Sequence, residues 1–306
     1  MNKSELTKFI KSRVDIKSAQ IIGGFAGTYI YENNGKLLLA ATDGVGTKLS
    51  ICDWVGDYSK IGIDLVAMCV NNIVTHGGKP LFFLDYFACS RIKTDTFEQI
   101  LQGINKGCEE ADCLLIGGET SELAYTFTPG SCDLAGFAVG EVDTNKYLPK
   151  SDVIIPGDLI IGLASNGIHA NGFTKLLERT KSNIDLKSLL TPTRIYVRSC
   201  LNVLKQTDQI KALVHITGGG LNENIPRALQ PGLGFKLRDW AIPNIFKEIK
   251  TKGDFTQQEM LDNFNCGIGM AVIIDKRQVE RISSLFNNEG EIIQVIGEVT
   301  GFYRVT

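Results

Sequence analysis

Glycine is concentrated rather than spread in this 306-residue chain, and the pattern limits what the chain can build. The clusters are Gly23-Gly24, Gly44 with Gly46, Gly77-Gly78, Gly117-Gly118, Gly218-Gly219-Gly220, and Gly267 with Gly269. Glycines grouped between apolar runs mark tight turns, or places where backbone comes close to a ligand. With 32 glycines against 8 prolines, the chain carries more glycine than the usual ~7% without the dispersion of a linker. Six clusters beside carboxylates or histidines describe a site assembled from many loops.

Hydrophobic periodicity supplies the elements between those loops. Residues 3–11 and 94–110 read as helices, and apolar residues at 63, 66, 67, 70, 73 and 74 keep a helical period. Tyr29-Ile30-Tyr31 and Leu37-Leu38-Leu39 flank Asn33-Asn34-Gly35, a hairpin signal because Asn-Gly tolerates positive φ. Pro80 to Tyr86, Cys113 to Ile116 and Asp133 to Glu141 read as strands. Asp143 to Gly157 is polar, holds Pro149 and Pro156, and marks the domain boundary, giving domains 1–148 and 149–306. Beyond it, strands near 158–164, 212–216, 233–237, 268–274 and 291–304 alternate with helical segments. The expected class is α/β or α+β, in two similar halves, each a sheet with helices against it.

Composition excludes several classes. Lys and Arg total 32 against 34 Asp and Glu, a net charge of −2, which argues against a nucleic-acid or membrane-surface footprint. No apolar run approaches the ~20 residues of a membrane helix, and Met1-Asn2-Lys3-Ser4-Glu5 lacks the apolar stretch of a secretory signal. Eight cysteines without a C-x-x-C pair are expected to be reduced, buried small hydrophobes, which favours the cytoplasm.

The residues fit for chemistry stand at predicted element ends. Thr42-Asp-Gly-Val-Gly-Thr-Lys48 has neither the spacing of a Walker A loop nor that of a dinucleotide fingerprint. It offers one carboxylate for magnesium, two glycine amides for phosphate oxygens and a lysine for a polyphosphate. Asp64 opens a helix that carries Asn71 and Asn72, and Asp85 interrupts an apolar strand. Glu119 follows a strand and two glycines, a usual place for ligands in α/β sheets. Each has a bland reading: a turn, a helix-start acid, a loop acid. Together they favour a magnesium–phosphate site. His169 lies in the polar loop Ser165 to Gly172, His215 closes a strand before Gly218-Gly219-Gly220, and His76 reads as structural. No G-x-S-x-G elbow supports a serine hydrolase.

These segments, in this order, resemble the phosphoribosylformylglycinamidine cyclo-ligases, or AIR synthetases, of purine biosynthesis. The resemblance runs through Thr42 to Lys48, Ile61 to Asn72, Pro80 to Tyr86, Gly117-Gly-Glu-Thr120, His169 to Phe173, Pro192 to Val197, His215 to Gly220 with Glu223 to Arg227, and Phe264 to Met270. The chain departs from the family pattern in the short Lys17–Ile22 segment, in Gly-Gly-Phe-Ala-Gly at 23–27, and in Ser121-Glu-Leu-Ala after Thr120.

The resemblance implies a two-domain AIR-synthetase-like fold. Its N-terminal sheet would complete a closed β-barrel in a homodimer, with C-terminal α/β domains outside. It implies ATP and magnesium as cofactors and formylglycinamidine ribonucleotide as substrate, cyclised to aminoimidazole ribonucleotide with release of ADP and phosphate. Carried over to this chain, Asp43, Asp64 and Glu119 would hold magnesium and Lys48 would meet phosphate. Gly44, Gly46, Thr47, Asn71, Gly117, Gly118 and Thr120 would border the nucleotide. Asn171, Thr217 and Gly218, Gly219 and Gly220 would meet the substrate, and His169 or Asp85 would accept the amidine proton. The competing readings are a related ATP-dependent kinase or synthetase, and a catalytically silent nucleotide-binding dimer.

Overall fold

The computed structural model describes residues 3–14, 24–31, 35–180 and 184–301. The Asn33-Asn34 turn and the Lys17–Ile22 segment lie outside them. The flanking strands pair antiparallel as expected for a hairpin, with Tyr29 opposite Leu38.

Among these residues the strands form two five-stranded sheets. The first contains β1 (Gly27–Ile30), β2 (Lys36–Gly44), β3 (Lys79–Cys89), β4 (Leu114–Glu122) and β5 (Cys132–Asp143), in the order β1-β2-β5-β3-β4. Only β3 and β4 are parallel, joined through the helix Thr94–Ala111. The second contains β6 (Leu159–Ala164), β7 (Ile210–His215), β8 (Leu233–Leu237), β9 (Ile268–Ile274) and β10 (Ile293–Gly301), in the order β7-β9-β6-β10-β8. Its pairings are antiparallel throughout. Every residue of β9 is buried, which accounts for its unbroken apolar run.

The helix Ile61–Val74 is the centre of the molecule. Every residue of it except Ile63 is buried, because one side lies on the first sheet and another faces the second half. A helix apolar all round belongs in an interior. It crosses the helix Thr94–Ala111 closely enough that a Cβ at Gly62 would stand 2.3 Å from the Ile100 carbonyl oxygen, so only glycine fits. All eight cysteines are free; seven are buried and Cys132 is intermediate.

Among the described residues, nothing covers the other face of the first sheet. Tyr29, Tyr86, Leu114 and Phe137 stand on it with much of their surface exposed. No helix among the described residues is long and apolar enough to cross a membrane.

Candidate active site

The polar residues of the central helix meet the second half rather than solvent. Lys48 opens the helix Lys48–Val55, and its Nζ lies 2.8 Å from Asp64 Oδ2 while donating to the Thr191 carbonyl at 2.8 Å. Asp64 Oδ1 accepts from the Thr193 amide at 2.7 Å and from the Thr193 hydroxyl at 2.5 Å. Burial pushes the Asp64 carboxyl up from its ordinary range, while Lys48 and Thr193 act in the opposite direction. One turn from the helix end, Asn71 donates to the Arg194 carbonyl at 2.8 Å and accepts from the Tyr196 amide at 2.9 Å. The irregular segment 191–196 is thereby held along the helix by side-chain bonds.

Two imidazoles close this joint. His215 donates from Nδ1 to Asn72 Oδ1 at 3.0 Å, and its Nε2 takes Asn71 Nδ2 at 3.4 Å. Burial, with Arg227 adding, pushes its pKa down to about 3. His169 stands in left-handed backbone, φ 63°, with Nε2 accepting the amides of Asn166 and Arg194 at 3.3 and 3.4 Å. Burial holds it well below the ordinary histidine range, and His215, Lys48 and Arg194 add to that. A Cβ on Gly269 would stand 2.5 Å from His169 Cε1 and 2.1 Å from the Tyr196 hydroxyl, which explains a glycine inside β9.

The three carboxylates expected to share magnesium do not assemble. No group of three His, Cys, Asp or Glu side chains fit to hold a metal occurs among the described residues. Asp64 is already occupied by Lys48 and Thr193. Asp43, Gly136, Asp85 and Gly118 share one row across β2, β5, β3 and β4, on the face that carries buried Phe83 and Phe87. Glu119 pairs with Tyr86 in the next row and so faces the open side. The cause is a bulge: Phe83 pairs with Leu115 but Leu84 with Gly117, and that one-residue step turns Glu119 over. Lys48, 1% exposed, is bonded through its ammonium to Asp64 and the Thr191 carbonyl. Asn71 is likewise engaged with the second half.

Asp85 is half-buried, and burial raises its pKa. A Cβ at Gly118 would fall 2.4 Å from its Oδ1, so Gly118 makes room for that carboxylate. Gly44 ends β2 and Gly46 precedes the helix Lys48–Val55, whereas Gly117 and Thr120 lie inside β4, which runs on to Glu122 instead of ending at Ile116. Thr47 reaches the second half, its hydroxyl 2.7 Å from that of Thr174. Asn171 touches Met68 of the central helix through its amide at 3.7 Å. Thr217 and the three glycines after it form a turn whose carbonyls are tied by Asn224, its Nδ2 2.7 Å from the Gly220 oxygen. Arg227 braces the same region, donating to the Gly24 carbonyl at 2.7 Å with its guanidinium over the Phe25 ring.

Thr193, Arg194, Tyr196 and His215 complete the joint and carry no periodic signal of their own. Pairing them with Asp64 and Asn71 spans more than 120 residues of chain. A cleft of about 480 Å³ elsewhere between the halves, bordered by Lys79, Asp112, Lys146 and Arg198, contains none of these residues and is not the site.

Known proteins share this architecture. The family described as AIR synthase related protein matches with its N-terminal domain over residues 24–142 and its C-terminal domain over 156–305. A phosphoribosylformylglycinamidine cyclo-ligase from Thermoanaerobacter sp. is 45% identical, over 91% of this chain and 87% of its own. One from Methylobacillus flagellatus is 43% identical, over 91% and 84%. In the crystal structure of a HypE–HypF complex, a chain 16% identical superposes with a TM-score of 0.73 over 97% of this chain and 93% of its own, a likeness of fold.

Proposed function

The chain belongs to the AIR synthase–related family, among its phosphoribosylformylglycinamidine cyclo-ligases, and from that premise we propose how this molecule works. It is an ATP-dependent ligase of purine biosynthesis that cyclises formylglycinamidine ribonucleotide to aminoimidazole ribonucleotide, releasing ADP and phosphate. The observation that carries this reading is identity above 40% to named cyclo-ligases along nearly the whole chain, both halves included.

The formyl oxygen takes the γ-phosphoryl group as ADP leaves. The amidine nitrogen then attacks the formyl carbon, and phosphate departs with that oxygen. Chemistry of this kind asks the protein for alignment and charge neutralisation more than for a nucleophile. The joint supports alignment, because Asp64, Asn71 and His215 fix the second half against the central helix. Asp64 does not fit a metal ligand. Asp43 and Asp85 lie on one face on either side of Gly136, with the Phe83 ring and Cys69 Sγ packed between them, so each would meet magnesium as a separate carboxylate rather than as a shared pair. Bound at either, the ion would neutralise phosphate charge. Thr217 to Gly220 and Asn171 are the proposed substrate contacts from the second half.

The open face of the first sheet supports a homodimer, since large exposed apolar side chains gathered on one face mark an interaction site. Charge, composition and the absence of a membrane-length helix among described residues support a cytoplasmic enzyme. Mixing the purified protein with magnesium, ATP and formylglycinamidine ribonucleotide tests the reading. Equal amounts of ADP and aminoimidazole product are expected, each dependent on the substrate. ADP without the imidazole would favour the related-kinase reading, and nucleotide binding without turnover the silent dimer.

A further inference from the structure

The three histidines of this chain are all buried, and they differ in one respect. His76 donates from Nδ1 to the Leu148 carbonyl at 2.8 Å and accepts the Ala26 amide on Nε2 at 3.0 Å. His215 likewise has partners on both nitrogens. His169 accepts two backbone amides on Nε2, so that nitrogen is unprotonated and the ring proton sits on Nδ1. Nδ1 is buried and has no partner among the described residues. A buried donor left unpaired costs ~1–3 kcal/mol, and the residue is also held at a positive φ that few side chains adopt. Two local costs at one residue, in a network where every neighbouring imidazole nitrogen is satisfied, point to a ligand.

Resting on the cyclo-ligase reading, we propose that His169 is a neutral hydrogen-bond donor, not a proton acceptor. Its Nδ1–H serves an oxygen, carbonyl or phosphoryl, of the substrate entering between the halves. The backbone amides of Asn166 and Arg194 exclude a proton from Nε2. The groups facing the ring, Lys48, Arg194 and His215 with the Tyr196 ring beside it, disfavour an imidazolium. The proton released on ring closure is therefore taken by another group.

Substitution separates a donor from a base. Asparagine tolerates left-handed backbone and places its Nδ2–H where the imidazole Nδ1–H stands. Glutamine places its amide nearer the Nε2 position. His169→Asn is expected to keep kcat within about tenfold of wild type, whereas His169→Gln and His169→Ala lose ~10²-fold or more, the usual cost of one aligned donor. Nitrogen-15 spectra of the unmodified enzyme supply a reading that needs no variant. They should show His169 as the Nδ1–H tautomer at neutral pH. An Asn variant as inactive as the Gln and Ala variants, three variants of wild-type activity, or an Nε2–H or doubly protonated ring would each overturn the proposal. Wild-type protein that forms no imidazole product would overturn the cyclo-ligase reading itself, a result distinct from active wild type with a dead Asn variant.

Discussion

Lys48 Nζ and Asp64 Oδ2 lie 2.8 Å apart with both side chains out of solvent, and the same two residues bind Thr191 and Thr193 of the other half. The pair is a structural bond between halves. Removing one partner of such a pair leaves a buried charge uncompensated, typically at ~3–5 kcal/mol. Asp64→Asn should lower the unfolding free energy by about that amount in urea titrations. Pairing it with Lys48→Met should recover part of the loss. An Asp64→Asn protein of wild-type stability would show that the pair does not join the halves.

Magnesium dependence separates Asp64 from the row on the sheet. Asp43→Asn and Asp85→Asn should each lower turnover by ~10²-fold or more, with excess magnesium restoring part of it. The magnesium titration of Asp64→Asn should keep its wild-type midpoint. A shifted midpoint for Asp64→Asn with unshifted midpoints for the other two would reverse the assignment.

Much of the fold was legible because its cause is local. The period of Ile61–Val74 announces a helix, and continuous apolar runs announce β3 and β9. The destination of Asp64, Asn71 and Asn72 was not legible, because their partners lie over a hundred residues away, in the irregular segment 191–196 and at the end of β7. Glu119 shows a second limit. Composition and position place it beside the other acids, but a bulge opposite Phe83 and Leu84 decides its face, and no residue type in Leu114–Glu122 announces that step. His169 was legible as unusual from its polar loop, whereas its tautomer depends on two backbone amides that only the folded chain brings to it.

Acid should weaken the joint before it affects the carboxylates. His215 titrates near 6.5 when unfolded and at about 3 when folded, so below pH 6.5 the unfolded chain binds more protons and stability falls. From pH 7.5 to 5.5 this residue alone accounts for about 1.4 kcal/mol. His76 and His169, also lowered by burial, act in the same direction. Denaturant titrations at the two pH values check this, and His215→Asn should show a shallower loss. A variant with the full wild-type pH slope would remove His215 from the account.

The uncovered sheet face predicts an association that charge can break. Phe137→Glu combined with Tyr86→Glu puts two carboxylates among apolar side chains that are 41% exposed in the single chain. Light scattering at micromolar concentration should give a dimer for the wild type and a monomer for the double variant. An obligate interface of this kind buries ~2,000 Å² or more. A monomeric wild type would contradict it.

The fate of one oxygen atom tests the central claim most directly. Formylglycinamidine ribonucleotide carrying oxygen-18 in the formyl group is incubated with the enzyme, ATP and magnesium, and the released phosphate is analysed by mass spectrometry. Phosphoryl activation of that oxygen predicts one labelled oxygen in each phosphate, matched one for one by aminoimidazole ribonucleotide. Unlabelled phosphate would contradict the account, because ATP would then be hydrolysed by water and not spent on the atom that must leave for the ring to close.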